Sequence, residues 1–176
     1  ILSNIATVAQ AVLILGTVEP ALLSQMMWPL LAGFATTALY GGCLMLRVPP
    51  APAGQAIRVG GAFDLKLALI MVLTLTGITF LSSVMLYYFG QVGVMVTATL
   101  SGFADAHATT ASIAALVTSG QLALHAAPIP VLLAISCNSL SKCLVAWVSG
   151  GRRFAAYVIA GQVLLTAAMW LGALVS

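Results

Sequence analysis

Val92–Thr118 reads VGVMVTATLSGFADAHATTASIAALVT, an apolar block interrupted at its centre by Ser101-Gly102-Phe103-Ala104-Asp105-Ala106-His107. The block is long enough to cross the hydrocarbon core of a bilayer, which needs about 20 apolar residues. An acid and an imidazole inside such a block are costly unless they face a cavity or each other. Whether the block crosses or doubles back at this interruption decides the topology of the whole chain.

The composition identifies the solvent. Of 176 residues, 62% are hydrophobic and 5% charged, with a mean hydropathy of +1.16. Soluble domains carry roughly 25% charged residues, so a water-soluble enzyme is excluded as the expected class. In lipid only helices and closed barrels satisfy every backbone polar group. A barrel needs alternating strands of about 10 residues, whereas this sequence shows long apolar blocks. The expected fold is all-α: a polytopic transmembrane helix bundle of about five to six hydrophobic segments, one of them broken or re-entrant, forming a single domain over 1–176.

Outward from the central block, the other apolar blocks are Ile1–Val18, Met26–Leu46, Leu65–Phe89, Ile129–Val148 and Phe154–Val175. Glu19-Pro20 ends the first. Arg47 and a Pro-rich stretch end the second, so 47–62 reads as a polar loop. Asp64 opens the third, where an acid suits a helix N-terminus. Gly150-Gly151-Arg152-Arg153 precedes the last and reads as an arginine loop. Trp28, Tyr87, Tyr88, Trp147 and Trp170 sit near block ends, where interfacial belts place aromatic side chains. The chain opens inside an apolar stretch without Met, and reads as the C-terminal part of a longer protein.

Lys and Arg report the cytoplasmic side. If all six blocks cross, Arg47 and Arg58 lie opposite Arg152 and Arg153. If Val92–Thr118 enters and leaves on one face, Arg47, Arg58, Lys66, Arg152 and Arg153 share a side, and Glu19 and His125 lie opposite. The re-entrant alternative is favoured. Ser3-Asn4-x-x-Thr7 and Ser136-x-Asn138-x-x-Ser141 add a weak repeat between two blocks that would then run in opposite directions, as in inverted-repeat transporters.

The candidate ion-binding residues form two groups. Asp105, His107, Thr109 and Ser112 would offer a charge, an imidazole and two hydroxyl oxygens at the broken helix. Asp105 would also cap the second half-helix through the amides of residues 107 and 108. Asn138, Ser141 and Lys142 lie in the fifth block, with Asn138 and Lys142 four apart on one face. Lys142 either snorkels to the interface or pairs with Asp105 inside the membrane. Cys43, Cys137 and Cys143 have no metal-ligand spacing, and the identity of any metal is left open. No cofactor motif or catalytic elbow is present, so no cofactor and no enzymatic activity are expected. One basic pair does not suggest nucleic acid.

The run Gly102-Phe103-Ala104-Asp105-Ala106-His107-Ala108-Thr109-Thr110-Ala111-Ser112, then Asn138-Ser139-Leu140-Ser141-Lys142 and Gly150-Gly151-Arg152-Arg153-Phe154, resembles the C-terminal multi-helix domain of MgtC/SapB-like bacterial membrane proteins. The family pattern runs roughly G-x-A-D-x-D-A-x-T-x-S, then N-x-x-x-K, then G-G-R-R-F. Glu19-Pro20-Ala21-Leu22-Leu23 is similar to the family's first loop. The resemblance covers essentially the whole chain and implies a multi-pass protein of the bacterial inner membrane. It departs where the family's second acid falls on His107, which weakens a two-carboxylate divalent-cation site because histidine is a poor ligand for hard Mg²⁺.

Two functions follow as expectations. One is a transporter-like protein for a small cation or proton, with its polar site at the broken helix. The other is a structural or regulatory membrane subunit without a transport path, for which Ala104, Ala108, Ala111 and Ala115 suit close helix packing. Expected partners are membrane lipids, the small cation or proton, and either further copies of the chain or a missing N-terminal half.

Overall fold

The computed structural model describes residues 2–47, 65–149 and 151–175. Its elements are α1 (Leu2–Val18), α2 (Pro20–Arg47), α3 (Leu65–Ala104), α4 (Ala106–Thr118), a 3-10 turn (Leu124–Ala126), α5 (Pro128–Ser149) and α6 (Arg152–Ala173). No strand occurs among the described residues, as the all-α expectation requires. Pro20–Leu44, Val72–Ala104, Leu124–Val148 and Arg152–Ala173 are long and apolar enough to cross a membrane, and Ser3–Val18 is a shorter apolar helix. The expected loop 47–62, except Arg47 at the end of α2, lies outside the described residues, as do Arg58 and Asp64.

The turns set the topology. Glu19 separates α1 from α2, and its carbonyl accepts from the amides of Leu22 and Leu23. Pro20 occupies the first position of α2, where a fixed φ suits the helix and the missing N–H has no helical partner to lose. Glu19-Pro20 therefore ends one helix and starts the next at once, so α2 begins six residues before the expected Met26.

The second turn lies inside α3. Gly90 has φ 58° and ψ −145°, a region open essentially to glycine alone. A Cβ at Gly93 would fall 2.2 Å from the Met85 carbonyl oxygen. Eight residues of straight helix would separate those positions by about 12 Å, so the chain has reversed. α3 is thus two antiparallel limbs, 65–89 and 91–104.

The third turn is the interruption at Asp105. Ser101 Oγ and Thr109 Oγ1 are 2.9 Å apart, although they too are eight residues apart. The limb 91–104 and α4 therefore form a V rather than a line. At the outer end of α4, Thr118 Oγ1 donates to Glu19 Oε2 at 2.9 Å and lies 3.1 Å from the Val18 carbonyl oxygen. The V enters and leaves at the Glu19 end of the bundle. The block doubles back at its centre, the geometry that the favoured re-entrant alternative requires, while Arg58 lies outside the described residues.

α6 returns along α2. Gly172 packs on Pro29, Gly33 on Met169 and Gly161 on Tyr40, and Tyr40 donates to the Tyr157 carbonyl at 2.9 Å. Arg47 thus ends α2, and Arg152 and Arg153 begin α6, at the end opposite Glu19. The two arginines belong to the first turn of α6 rather than to an arginine loop, because Gly151 takes the N-cap position and the helix starts directly after it.

Val8, Leu15, Leu22, Met26, Ile113, Leu132, Leu165 and Met169 fill the centre, where α1, α2, α4, α5 and α6 meet. Large apolar side chains such as Leu39, Phe80 and Val148 cover the outside, as a hydrocarbon solvent requires. Trp28, Tyr87, Tyr88 and Trp147 are exposed. Trp170 differs from the expected interfacial anchor: it is half-buried, and its indole N–H donates to Ser136 Oγ at 3.0 Å.

Candidate functional site

Asp105 joins the two arms of the V. Its own N–H closes the limb 91–104 by donating to the Ser101 carbonyl at 2.8 Å. Its backbone then turns extended, with φ −156° and ψ 110°, and its carboxylate accepts the His107 N–H at 2.8 Å. Aspartate is among the strongest N-caps, and its charge complements the positive end of the helix dipole. Of the two amides expected to bond it, the His107 amide does so.

The neighbouring hydroxyls tie the V together. Thr109 is buried; its hydroxyl donates to the Asp105 carbonyl at 2.7 Å and lies 2.9 Å from Ser101 Oγ. Ser101 in turn donates to the Thr97 carbonyl at 2.6 Å. Ser112 is fully buried, and its hydroxyl finds no partner.

α5 seals the inner side of the break. A Cβ at Gly102 would lie 2.6 Å from both Cα and the carbonyl oxygen of Ala134, so these helices touch backbone to backbone. Ser141 donates to the Phe103 carbonyl at 2.8 Å, satisfying one acceptor freed where the limb ends. Asn138 is half-buried one turn earlier on α5.

Of the two alternatives for Lys142, the pairing with Asp105 is not found. The Lys142 ammonium donates to Thr7 Oγ1 on α1 at 2.8 Å, not to Asp105, whose Oδ1 takes the His107 amide. The reason is helical phase. Successive residues on a helix are about 100° apart. With Ser141 turned to the limb 91–104, Lys142 is directed toward α1. His107 is half-buried and lies within the electrostatic reach of both Asp105 and Lys142.

These groups share one level of the bundle. The helical rise places Asp105 about 20 Å, and Lys142 and Asn4 each about 21 Å, from the Glu19 end. Gln162 of α6 joins the layer by donating to Asn4 Oδ1 at 2.8 Å. Asn4, Thr7, Ser101 and Gln162 were not among the expected site residues. Asn4 and Thr7 were visible as polar residues early in an apolar helix, and Gln162 as a lone amide, a residue type that bonds between membrane helices.

Among the described residues no group of three or more His, Cys, Asp and Glu side chains could hold a metal ion. Cys43, Cys137 and Cys143 are free thiols.

The model of a family described as a domain of unknown function, DUF4010, matches residues 1–150. The chain belongs to this family. An uncharacterized protein of Aquifex aeolicus (strain VF5) is 28% identical over 106 residues, a stretch covering 60% of this chain and 46% of that relative. The match thus spans about half of the relative's length. No solved structure matches the chain. Neither match names an MgtC/SapB-like protein. In this DUF4010 chain Asp105, His107, Thr109, Ser112, Asn138, Ser141 and Lys142 all fall inside the matched segment. Gln162 and the rest of α6 fall outside it.

Proposed function

We propose that this DUF4010 chain is a transporter-like membrane protein for a small cation or a proton, with Asp105 as the group that takes the charge. The supporting observation is that Asp105, the acid within an apolar block among the described residues, stands at a helix break about 20 Å from the Glu19 end, with an imidazole two residues on. Broken helices of this kind present free backbone groups and polar side chains to an ion at depth. One carboxylate and one imidazole form a sparse donor set for a hard divalent cation, which takes six to eight oxygens. A proton or a monovalent cation suits the set better. His107 contributes an imidazole, a group that both accepts and releases protons.

Lys142 is held on Thr7, which keeps its ammonium off Asp105 and leaves the carboxylate without a cationic partner on α5. Arriving positive charge therefore does not have to displace a bound amine. The basic end that carries Arg152 and Arg153 faces the cytoplasm under the positive-inside rule, in a bacterial inner membrane. The resemblance to MgtC/SapB-like domains belongs to the same proposal, as does the absence of an enzymatic role. Lipids surround the bundle, and further copies of the chain or additional N-terminal helices complete it.

The test is ion flux into liposomes containing the full chain. Asparagine caps helices about as well as aspartate, so Asp105→Asn removes the charge and keeps the turn. Loss of flux in Asp105→Asn with an unchanged unfolding temperature is expected; wild-type flux in that variant refutes the proposal. The second reading, a structural or regulatory subunit, is favoured by the cross-links Lys142–Thr7 and Ser141–Phe103, which need no ion. It prevails if the folded wild-type protein carries neither protons nor monovalent cations.

A further inference from the structure

Away from the break, the polar layer contains a buried acceptor that nothing satisfies. Gln162 is 5% exposed and Asn4 3%. Gln162 Nε2 donates to Asn4 Oδ1, while Gln162 Oε1 has no partner. Leaving a buried acceptor unsatisfied costs about 1–3 kcal/mol, and in a native fold such an atom calls for an explanation.

The surroundings supply one. The amide pair closes the inner end of a cleft of about 350 Å³ between α1, α2 and α6, lined further out by Leu44, Phe154, Tyr157 and Val158. Leu44 lies in the last turn of α2, and Phe154 and Tyr157 lie early in α6, so the cleft leads in from the Arg152 end. Its volume matches about twelve water molecules at about 30 Å³ each. Behind the pair, Thr7 stands one turn along α1 from Asn4 and holds the Lys142 ammonium, whose field reaches His107, beside Asp105. Thr7 and Lys142 thus lie on the side of the amide pair away from the cleft.

We infer that this cleft is the aqueous access path from the Arg152 end to the polar layer, gated by the Asn4–Gln162 pair. Gln162 Oε1 and Asn4 Oδ1 are the amide oxygens that the inner end of the cleft offers to a small hydrated monovalent cation or hydronium. Both are neutral carbonyl-type acceptors, which replace part of a hydration shell without fixing the ion. Parting the pair frees Asn4 Oδ1, so the open gate offers two oxygens where the closed one offers none to solvent. The inference rests on the proposed function for its ligand, but the path itself is tested without flux.

The experiment uses the full chain with its cysteines replaced, in vesicles of known orientation, and a membrane-impermeant thiol reagent. Val158→Cys samples the cleft, Leu164→Cys samples the exposed outer face of α6, and Thr7→Cys samples the far side of the pair. From the Arg152 side, Val158→Cys is expected to react at least about tenfold faster than Leu164→Cys. Adding Gln162→Ala is expected to speed labelling of Thr7→Cys about tenfold, equivalent to about 1.4 kcal/mol in the opening equilibrium. An unlabelled Val158→Cys shows a lipid-filled cleft and overturns the path, even where Asp105→Asn abolishes flux. A Thr7→Cys rate that ignores Gln162→Ala overturns the gate. Separate proton and alkali-cation gradients identify the ion. Gln162→Leu, which keeps the volume and removes the free oxygen, is expected to lower flux about tenfold in whichever arm the wild type carries, a loss again worth about 1.4 kcal/mol. Full flux in that variant overturns the ligand role and leaves the Asp105 reading standing. Absence of wild-type flux in both arms removes the proposed function and, with it, the ligand assignment.

Discussion

Gly90 and Asp105 both interrupt α-helix in the same apolar stretch, yet they do so by different chemistry. At Gly90 the backbone itself makes the turn, in a conformation closed to other residues, and the residues around it, Tyr87 to Val92, are exposed. At Asp105 the backbone is in an ordinary extended conformation open to most residues, and a side chain makes the break by capping α4. The first turn needs the absence of a side chain; the second needs a particular one. A turn at the surface can be built from conformational freedom alone. A turn in the bundle interior must satisfy the backbone groups it exposes, and the group that does so becomes available for chemistry.

Substitutions sharpen this contrast. The largest effect is expected for Gly93→Ala beside the first turn, because the new methyl would sit 2.2 Å from the Met85 carbonyl oxygen and no flexible side chain can yield. Failure to recover a monodisperse folded protein in detergent is expected; recovery with a wild-type melting temperature would show that the limbs 65–89 and 91–104 do not double back tightly. Gly90→Ala is next, at about 1–3 kcal/mol for a forced backbone conformation, read as a lowered melting temperature with flux per folded molecule unchanged. Asp105→Ala is expected to cost about 1 kcal/mol for the lost cap, whereas Asp105→Asn costs nearly none and removes flux. Should the Gly90 variant lose flux, or the Asn variant keep it, the two turns are not different in kind. Ser141→Ala is the smallest, at about 0.5–1.5 kcal/mol for one hydrogen bond to the Phe103 carbonyl, measured by thermal unfolding.

The break itself was legible in the sequence because its chemistry is local: Ser101, Gly102, Asp105 and His107 lie within one short run, and the cap spans two residues. The gap between Phe89 and Val92 likewise marked the Gly90 turn. The arginines of the last block and Arg47 pointed to the re-entrant path, because topology is written in charge placement. What escaped was set by phase and distance. Lys142 meets Thr7 across 135 residues of separation, and which face of α5 it occupies depends on Ser141 being taken by Phe103. Gln162 and Asn4 are separated by nearly the whole chain. Trp170 near a block end looked interfacial, and only the register of α5 against α6 brings Ser136 under its indole. Pro20 read as a stop because proline ends helices; at a first helical position the same ring begins one.

The tie between Thr118 and Glu19 has a mechanical consequence. It fastens the outer end of α4 to the corner where α1 meets α2, while the other end of α4 finishes at a carboxylate rather than in continuous helix. In such a geometry a small tilt at the fastened tip is magnified along the rod. With an arm of about 20 Å, a tilt of about 5° carries Asp105 sideways by about 1.7 Å, more than half the length of a hydrogen bond, with no change in the helix itself.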